Sequence, residues 1–192
     1  MTMHVTHDGQ RWSNAAEDII EIVEADPSWP GQFITESAAI QQVLHPIQPR
    51  LEHFGSTAIP QLPAKPIIDI LLIVADVTAW PRLVPPLASL GYHYWSENPR
   101  PDRMFFVKGL PPFGRRRTHH VHVRTPNDLS ELVFRDWLRA HPADAARYAR
   151  LKRELAGRFQ TDREAYTAAK GEFIAQILAQ GTNQSRPLPK SV

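Results

Sequence analysis

The sequence contains no cysteine among its 192 residues. This absence excludes disulfide bonds, a thiolate nucleophile and a zinc ion held by cysteine. Any metal ion would therefore be held by histidine and carboxylate side chains. Long apolar runs are also missing: the longest, residues 67–77, is interrupted by Asp69 and Asp76 and is shorter than a membrane span of about 18 apolar residues. We therefore expect no membrane partner.

A secretory leader is not expected, because the first residues contain no apolar segment behind a basic start. Hydrophobic residues make up 42% of the chain and charged residues 22%, which is the balance of a soluble globular protein. We expect a bacterial cytoplasmic protein with one domain over residues 18–180. This domain would lie between a flexible N-terminus, residues 1–17, and a disordered tail, residues 181–192.

Charge is distributed unevenly along the chain, although the net charge is only +2. Residues 1–60 contain 2 basic and 8 acidic side chains, whereas residues 98–127 contain 7 basic side chains and 1 acidic one. The second segment is therefore suited to an anionic ligand. We do not expect nucleic acid as a partner, because the basic residues are confined to one segment and the acidic N-terminal third would repel a phosphate backbone.

The pattern of apolar residues predicts strands first and helices afterwards. Residues 66–74 are nearly continuously apolar, which is typical of a central strand covered on both faces. The later strands are joined by short turns and should form an antiparallel meander, and a capping box at Thr161 and Glu164 predicts the start of the last helix. The sequence therefore predicts an α+β fold, a mixed sheet flanked by helices with a C-terminal helical segment. The predicted strands cover residues 18–24, 50–54, 66–74, 92–97, 103–108 and 118–124, and the predicted helices cover residues 30–44, 79–90 and most of the chain after residue 127.

A turn of small residues, Gly55-Ser56-Thr57, follows the second predicted strand and can bring backbone N–H groups and hydroxyls close to an anion. Asp69 follows on the apolar strand, where burial alone would favour an apolar side chain. DNA polymerase β-like nucleotidyltransferases combine such a turn with a strand carboxylate to hold triphosphate and magnesium. Those enzymes usually carry a second carboxylate two residues further on, where this chain has Leu71. The alternative for Gly55-Ser56-Thr57 is an ordinary turn that binds no ligand. The alternative for Asp69 is a carboxylate that accepts hydrogen bonds from loop N–H groups.

Three histidines lie in the last predicted strand. His120 and His122 share one face of this strand, and His119 faces the other way. Two neutral imidazoles at this spacing are a feasible pair of metal ligands. If the two strands are neighbours, Asp69 converges on the histidines, with Glu52 as a fourth ligand. The alternative is that one histidine packs against the sheet while the others are solvated.

Basic side chains suited to phosphate surround this region of the sequence. Arg103, Lys108 and an arginine run at residues 115–117 belong to the basic segment, and Arg135 and Arg139 lie at i, i+4 on a predicted helix. We expect Arg103, Lys108 and Arg135 to reach the same site. The alternatives are a solvated turn for the arginine run and a surface ion-pair network for the helix.

Several motifs follow one another along the chain: Asp26-Pro-Ser-Trp-Pro30, His53-Phe-Gly-Ser-Thr-Ala-Ile-Pro60, Ala64-Lys-Pro-Ile-Ile-Asp-Ile70, Arg103-Met-Phe-Phe-Val-Lys108, His120-Val-His-Val123 and Phe134-Arg-Asp-Trp-Leu-Arg-Ala-His-Pro142. In order and spacing the chain resembles the GrpB family over residues 18–180. The resemblance implies a nucleotidyltransferase-like fold, in a domain that other proteins carry fused to dephospho-CoA kinase. The family also generally lacks the second carboxylate. This absence argues against two-metal nucleotidyl transfer and leaves a one-metal variant in which a histidine takes the place of the missing carboxylate.

The function we expect is binding of a nucleotide or other phosphorylated small molecule, together with one divalent metal ion. Asp69 and His122 are the expected catalytic residues, and the ion would be Mg²⁺ or Mn²⁺, with Zn²⁺ as the alternative. The other candidates are a non-catalytic ligand-binding or protein-interaction module related to coenzyme A metabolism, and a histidine/aspartate metal-dependent hydrolase. The expected phosphate-binding residues are Gly55, Ser56, Thr57, Lys65, Arg103, Lys108 and Arg135, and the expected metal ligands are Asp69, His120, His122 and Glu52.

Overall fold

The computed structural model describes residues 4–5, 11–12, 19–96 and 102–184, and its main element is a five-stranded sheet. Two short strands near the N-terminus, β1 (His4–Val5) and β2 (Arg11–Trp12), pair antiparallel with each other. They lie within the segment predicted to be flexible, and the other residues of 1–17 lie outside the described residues.

The central sheet is mixed, as the sequence predicted. Its strands are β3 (Arg50–Phe54), β4 (Ile68–Ile73), β5 (Tyr92–Tyr94), β6 (Met104–Lys108) and β7 (His119–Arg124). They lie in the order β3-β4-β7-β6-β5. Strand β4 pairs antiparallel with β3 and parallel with β7, whereas β5, β6 and β7 form the predicted antiparallel meander. The parallel pair joins two strands that are far apart in the sequence, and the candidate site lies on this pair.

Helices flank the sheet and dominate the C-terminal part of the chain. They are α1 (Trp29–Val43), α2 (Val84–Ser89), α3 (Ser130–Ala140), α4 (Pro142–Arg158), α5 (Arg163–Ala169) and α6 (Gly171–Gln184). The predicted C-terminal helical segment is therefore confirmed. None of the helices in the described part of the chain has the length and apolar character needed to cross a bilayer.

The strand predicted over residues 18–24 does not form within its described part, residues 19–24. This segment makes a single isolated bridge, between Val23 and Ala64, and the backbone N–H of Ile20 donates instead to the carbonyl of Gln160, 2.8 Å away. Ile20 is buried with Leu155 and other residues of the C-terminal helices. The β-branched residues of this segment therefore pack against helices and do not form the hydrogen-bonded ladder of a strand.

Two predicted helices also differ from the structure. The first half of the helix predicted over residues 79–90 is a 3₁₀ helix, Val77–Leu83, and only the second half is α2; prolines in this stretch remove backbone donors that a continuous α-helix needs. The last predicted helix is divided into α5 and α6, and Asp162, not Thr161, caps α5 by accepting a hydrogen bond from the N–H of Ala165. Helix α6 extends to Gln184, so residues 181–184 of the predicted tail are helical, and residues 185–192 lie outside the described part.

Strand β4 separates two apolar layers, because its side chains alternate between the faces of the sheet. Ile70 and Leu72 are fully buried in a core that includes Ile40 of α1. Leu71 faces the opposite way and packs with Leu132 of α3. Asp69 lies on the same face as Leu71, two residues nearer the start of the strand, and therefore faces the C-terminal helices.

Candidate functional site

Asp69, His120 and His122 lie together on the face of the sheet that the C-terminal helices cover. The parallel register places Asp69 beside His120 and Leu71 beside His122. Nδ1 of His120 is 3.0 Å from Oδ1 of Asp69, and Nε2 of His122 is 4.0 Å from the same oxygen. Each of the three residues offers one ligand atom, and these atoms all lie within 4.8 Å of one another.

The two histidines are neutral near pH 7. Burial lowers the pKa of His120 to about 4 and the pKa of His122 to about 3, although the charge of Asp69 acts in the opposite direction. Burial by itself would raise the pKa of Asp69, but the hydrogen bond from His120 and the neighbouring basic groups hold it below its usual value. A neutral imidazole therefore lies beside an ionised carboxylate.

His120 has one nitrogen that is available for a ligand. A carboxylate can only accept hydrogen bonds, so Nδ1–H of His120 donates to Asp69 and the lone pair lies on Nε2. This Nε2 atom is buried and has no hydrogen-bond partner among the described residues. A carboxylate that fixes the tautomer of a histidine in this way is common around metal ions. Two imidazoles and one carboxylate suit Mn²⁺ or Zn²⁺ better than Mg²⁺, which prefers oxygen ligands.

The turn after β3 lies directly against Asp69. Gly55 has φ +70°, and a Cβ atom at this position would collide with the Asp69 carboxylate, so only glycine allows the close approach. Ser56 begins a short 3₁₀ helix, Ser56–Ala58. The hydroxyl of Thr57 donates to the carbonyl of Ile67 at 3.2 Å. Thr57 therefore holds the turn to β4 rather than offering a free hydroxyl.

A cavity of about 800 Å³, the main cavity, opens above these groups. Cavities of this size accommodate small-molecule ligands. Among the described residues that line it, seven are basic and three are acidic, so the cavity is suited to an anionic ligand. The basic ones are Lys65, Arg103, Arg117, Arg124, Lys152, Arg163 and Lys170, and the acidic ones are Asp69, Glu131 and Glu164.

Three lysines that line the main cavity lie close enough to repel one another. We call this part of the cavity the lysine-rich end, and it consists of Lys65, Lys152 and Lys170. Burial and neighbouring positive charges lower the pKa of Lys65 to about 7 and that of Lys152 to about 7. Burial, opposed in part by the charge of Asp69, lowers the pKa of Lys170 to about 8. Lys152 is only 2% exposed, and its Nζ donates to Ser56 Oγ at 2.9 Å and to the carbonyl of Pro63. An anion bound here would relieve the repulsion among these ammonium groups.

Aromatic rings form another part of the wall. The ring of Phe105 lies 4.7 Å from that of His122 and 5.5 Å from that of Trp95, measured between centroids. Phe54 and Phe134 also line the main cavity. The cavity therefore combines aromatic walls with a cationic end, and Asp69 and the two histidines belong to the same cavity.

Three residues predicted for the site lie outside the main cavity, which corrects the prediction. Lys108 Nζ lies 2.7 Å from Glu36 of α1, on the other face of the sheet. Glu52 and Arg135 form an ion pair at 2.9 Å, and Arg135 also donates to the carbonyl of His53 at 2.8 Å. These charges are already paired, and they fasten α1 and α3 to the sheet. The remaining predicted residues do line the main cavity: Gly55, Ser56, Thr57, Lys65, Asp69, Arg103, His120 and His122.

The C-terminal helices contribute cations that the sequence-based prediction did not assign to the site. Lys152, Arg163 and Lys170 line the main cavity. One signal was present for Lys152: it lies four residues after Tyr148 on the apolar stripe of α4, so its side chain faces the core. No comparable pattern marks Arg163 or Lys170.

Comparisons with known proteins agree on one family. Residues 19–180 match the family described as GrpB protein. UPF0157 protein PA4798 of Pseudomonas aeruginosa is 54% identical over 180 residues, covering 93% of this chain and 74% of that protein. A protein named dephospho-CoA kinase from Mycolicibacterium paratuberculosis is 32% identical over 175 residues, covering 79% of this chain but only 43% of that protein. The chain thus spans less than half the length of that relative.

Two solved structures resemble the fold. The crystal structure of conserved protein GrpB from Enterococcus faecalis superposes with a TM-score of 0.77 at 35% identity, covering 86% of this chain and 99% of that chain. The Cid1 poly(U) polymerase superposes with a TM-score of 0.51 at 15% identity, covering 77% of this chain and 50% of that chain. At this identity the second likeness concerns the fold alone.

Proposed function

The chain belongs to the GrpB family and has a nucleotidyltransferase-like fold, and from this premise we propose that it binds a nucleotide or another phosphorylated small molecule together with one divalent metal ion. One observation carries the proposal. The turn at Gly55 and Ser56, the Asp69–histidine group and the lysine-rich end all line the same cavity of about 800 Å³. Each of these features favours a phosphate or its counter-ion.

The lysine-rich end would hold the phosphate groups of the ligand. Lys65, Lys152 and Lys170 supply positive charge there, and Ser56 lies beside Lys152 through their hydrogen bond. The aromatic wall formed by Trp95 and Phe105 suits the apolar or aromatic part of the ligand. A nucleotide has both parts, an anionic chain and a flat aromatic base, and is therefore the probe of choice.

Asp69, His120 and His122 are the residues that would hold the metal ion. One ligand atom of each residue lies within 4.8 Å of the other two, so the three side chains are close enough to share one ion. An ion shared in this way would replace the Nδ1–H of His120 as the partner of the Asp69 carboxylate. A divalent ion bound there would polarise a phosphoryl oxygen. The proposal is for binding rather than transfer, because Leu71 occupies the position of the second carboxylate that two-metal transfer uses.

A thermal-shift measurement with ATP and Mn²⁺ tests the proposal. A ligand present at 100 times its dissociation constant stabilises the native state by about 2.7 kcal/mol, which raises the Tm of a domain of this size by about 5 °C or more. We expect this shift for the wild type and its loss in Asp69→Asn. Glu52→Gln is the matched control, since Glu52 lies on the neighbouring strand but outside the main cavity, and it should keep the shift.

Two outcomes contradict the proposal. One is the absence of a metal-dependent shift with ATP, AMP and dephospho-CoA alike. The other is an equal shift in the wild type and in Asp69→Asn, because the ligand would then bind elsewhere. Dephospho-CoA is included because some relatives are named dephospho-CoA kinase. If dephospho-CoA alone shifts the Tm, the module related to coenzyme A metabolism is the better description.

The donor set favours a second candidate function, metal-dependent hydrolysis of a phosphate ester. Two histidines and one aspartate resemble the ligands of hydrolytic zinc sites more closely than the paired carboxylates of nucleotidyl transfer. Zn²⁺-loaded protein assayed with bis(p-nitrophenyl) phosphate separates the two candidates. Turnover that His122→Gln abolishes and Lys152→Met spares supports hydrolysis, and no turnover excludes it for this ester.

A further inference from the structure

A second, smaller cavity lies beside the main cavity and is strongly basic. Its volume is about 290 Å³, and we name it the arginine cavity. Among the described residues, Glu21 is the one acidic side chain in its lining. Its five cationic lining residues are Lys65, Arg115, Arg116, Arg117 and Arg163. Such an excess of positive charge in a small recess favours a compact anion.

The loop that carries the three consecutive arginines is closely packed. Gly109 has φ +96°, and a Cβ atom there would collide with the carbonyl of Arg116 and with Thr118. A Cβ atom on Gly114 would collide with the carbonyl of Gly109. The backbone N–H of Thr118 also donates to the carbonyl of Lys108 at 2.9 Å, which closes the base of the loop. The close packing of the loop therefore fixes the Cα positions of the three arginines. Because this backbone is already ordered, less conformational entropy is lost when the arginines bind an anion.

The arginine cavity is continuous with the lysine-rich end of the main cavity. Lys65, Arg117 and Arg163 line both cavities. Positive charge is crowded at this junction, because the charges of Arg163, Lys170 and Arg117 add to burial in lowering the pKa of Lys65. An anion in either cavity lowers this repulsion.

We propose that the arginine cavity is a second anion site, which binds a phosphate group next to the lysine-rich end of the main cavity. Guanidinium groups match phosphate through paired hydrogen bonds, which lysines do not provide. The basic residues are confined to one small recess, which fits a small phosphorylated ligand rather than the extended backbone of a nucleic acid. The site does not require that a nucleotide occupy the main cavity, so the two proposals can fail separately.

Isothermal titration with inorganic pyrophosphate in metal-free buffer at low salt tests the arginine cavity. We expect Arg115→Ala/Arg116→Ala to lose one binding event, or to weaken it by about tenfold or more, as removal of charge-assisted hydrogen bonds does. Both side chains are exposed, so their removal should leave the fold intact. Arg115→Lys/Arg116→Lys keeps the charge but loses the paired geometry, and should recover the affinity only in part.

Arg82→Ala/Arg150→Ala is the matched control, because it removes two exposed arginines that line neither cavity. Identical titrations for the wild type and Arg115→Ala/Arg116→Ala would overturn the proposal. An equal loss in the control would also overturn it, since a general charge effect would then explain the binding. A pyrophosphate event that Lys152→Met abolishes and Arg115→Ala/Arg116→Ala leaves unchanged belongs to the main cavity, and it does not count as binding to the arginine cavity.

A second titration identifies the molecule that carries the phosphate group. Pyrophosphate is added to protein that is already saturated with ATP. If the pyrophosphate event that depends on Arg115 and Arg116 persists, a separate molecule fills the arginine cavity. If it disappears, and Arg115→Ala/Arg116→Ala weakens ATP but not AMP, the same ligand extends into both cavities. Both results support the site and differ in its ligand.

Discussion

Lys152 donates a hydrogen bond of 2.9 Å from Nζ to Oγ of Ser56, and so joins two residues that lie 96 positions apart in the sequence. The contact fastens helix α4 to the turn that borders Asp69. It also places an ammonium group in a site where its side chain is almost fully buried. The main cavity therefore depends on the C-terminal helices as much as on the sheet, and the protonation of Lys152 depends on what occupies the cavity.

The buried lysine gives a pH dependence of stability. Burial lowers the pKa of Lys152 from 10.5 to about 7, so between these values the unfolded chain binds a proton that the folded chain does not. Stability therefore rises with pH across the window from about 7 to 10.5, by up to about 1.4 kcal/mol per pH unit for one such group. Lys152→Met should reduce the rise, and the part that Lys65 and Lys170 contribute should remain, because their pKa values are lowered as well. Urea denaturation at pH 7, 8 and 9 measures the free energy of unfolding. If this free energy rises with pH as steeply in the variant as in the wild type, Lys152 is not a buried lysine with a lowered pKa.

Ligand binding should take up protons near pH 8. At that pH Lys65 and Lys152, each with a pKa of about 7, are mostly neutral in the free protein. A bound polyphosphate favours their charged forms, so on the order of one proton should be bound with the ligand. The uptake should fall towards pH 6, where both lysines already carry a proton. Calorimetric titrations of ATP in two buffers with different ionisation enthalpies measure it, and equal heats in both buffers at pH 8 argue against the lysines as phosphate ligands.

Gly55→Ala should damage both stability and the site. The left-handed backbone and the collision of Cβ with Asp69 predict a loss of about 2 kcal/mol or more in the free energy of unfolding. The metal-dependent thermal shift should disappear, because Asp69 must move. Gly157→Ala is the control: Gly157 lies in α4 with nothing near its added Cβ, so this change should stabilise by about 0.5–1 kcal/mol. Equal effects of the two changes would refute the close approach at Gly55.

Leu71→Asp should destabilise the protein rather than complete a second metal site. Leu71 is fully buried and packs with Leu132, and the acidic residue Glu52 is its partner in the register of β3 and β4. A charge there should cost on the order of 3 kcal/mol or more at pH 7. Burial raises the pKa of the new carboxyl, so the folded state binds the extra proton and the deficit relative to Leu71→Asn should shrink as pH falls to 5. Urea denaturation of both variants at pH 7 and pH 5 measures this deficit, and a Leu71→Asp chain that is as stable as Leu71→Asn at pH 7 contradicts the expectation.

The strongest local patterns predicted the elements that form the centre of the site. The apolar run around Ile70 and the histidine-rich strand both appear as strands, and they are neighbours, as the metal hypothesis requires. The turn at Gly55 lies where its small residues suggested. These features depend on short-range preferences and on the alternation of faces along one strand, which a single sequence carries.

The positions of paired charges could not be predicted in the same way. Lys108 lies opposite His119 in the register of β6 and β7, and so faces α1 instead of the main cavity. A shift of one residue in this register would reverse its face, and no local signal fixes the register. Arg135 and Glu52 form an ion pair although they lie 83 positions apart in the sequence. Such a pair depends on how α3 packs against the sheet and not on the local sequence around either residue.

The burial of Leu71 under helix α3 has a consequence for how this protein can change over evolutionary time. A single substitution that introduces an acidic residue at this position gives a protein that folds poorly, so selection would remove it before any new chemistry could be favoured. Paired carboxylates on this strand need an earlier change at Leu132 or its neighbours that opens space for water. The order of mutations, and not only their number, therefore separates this chain from a two-metal enzyme.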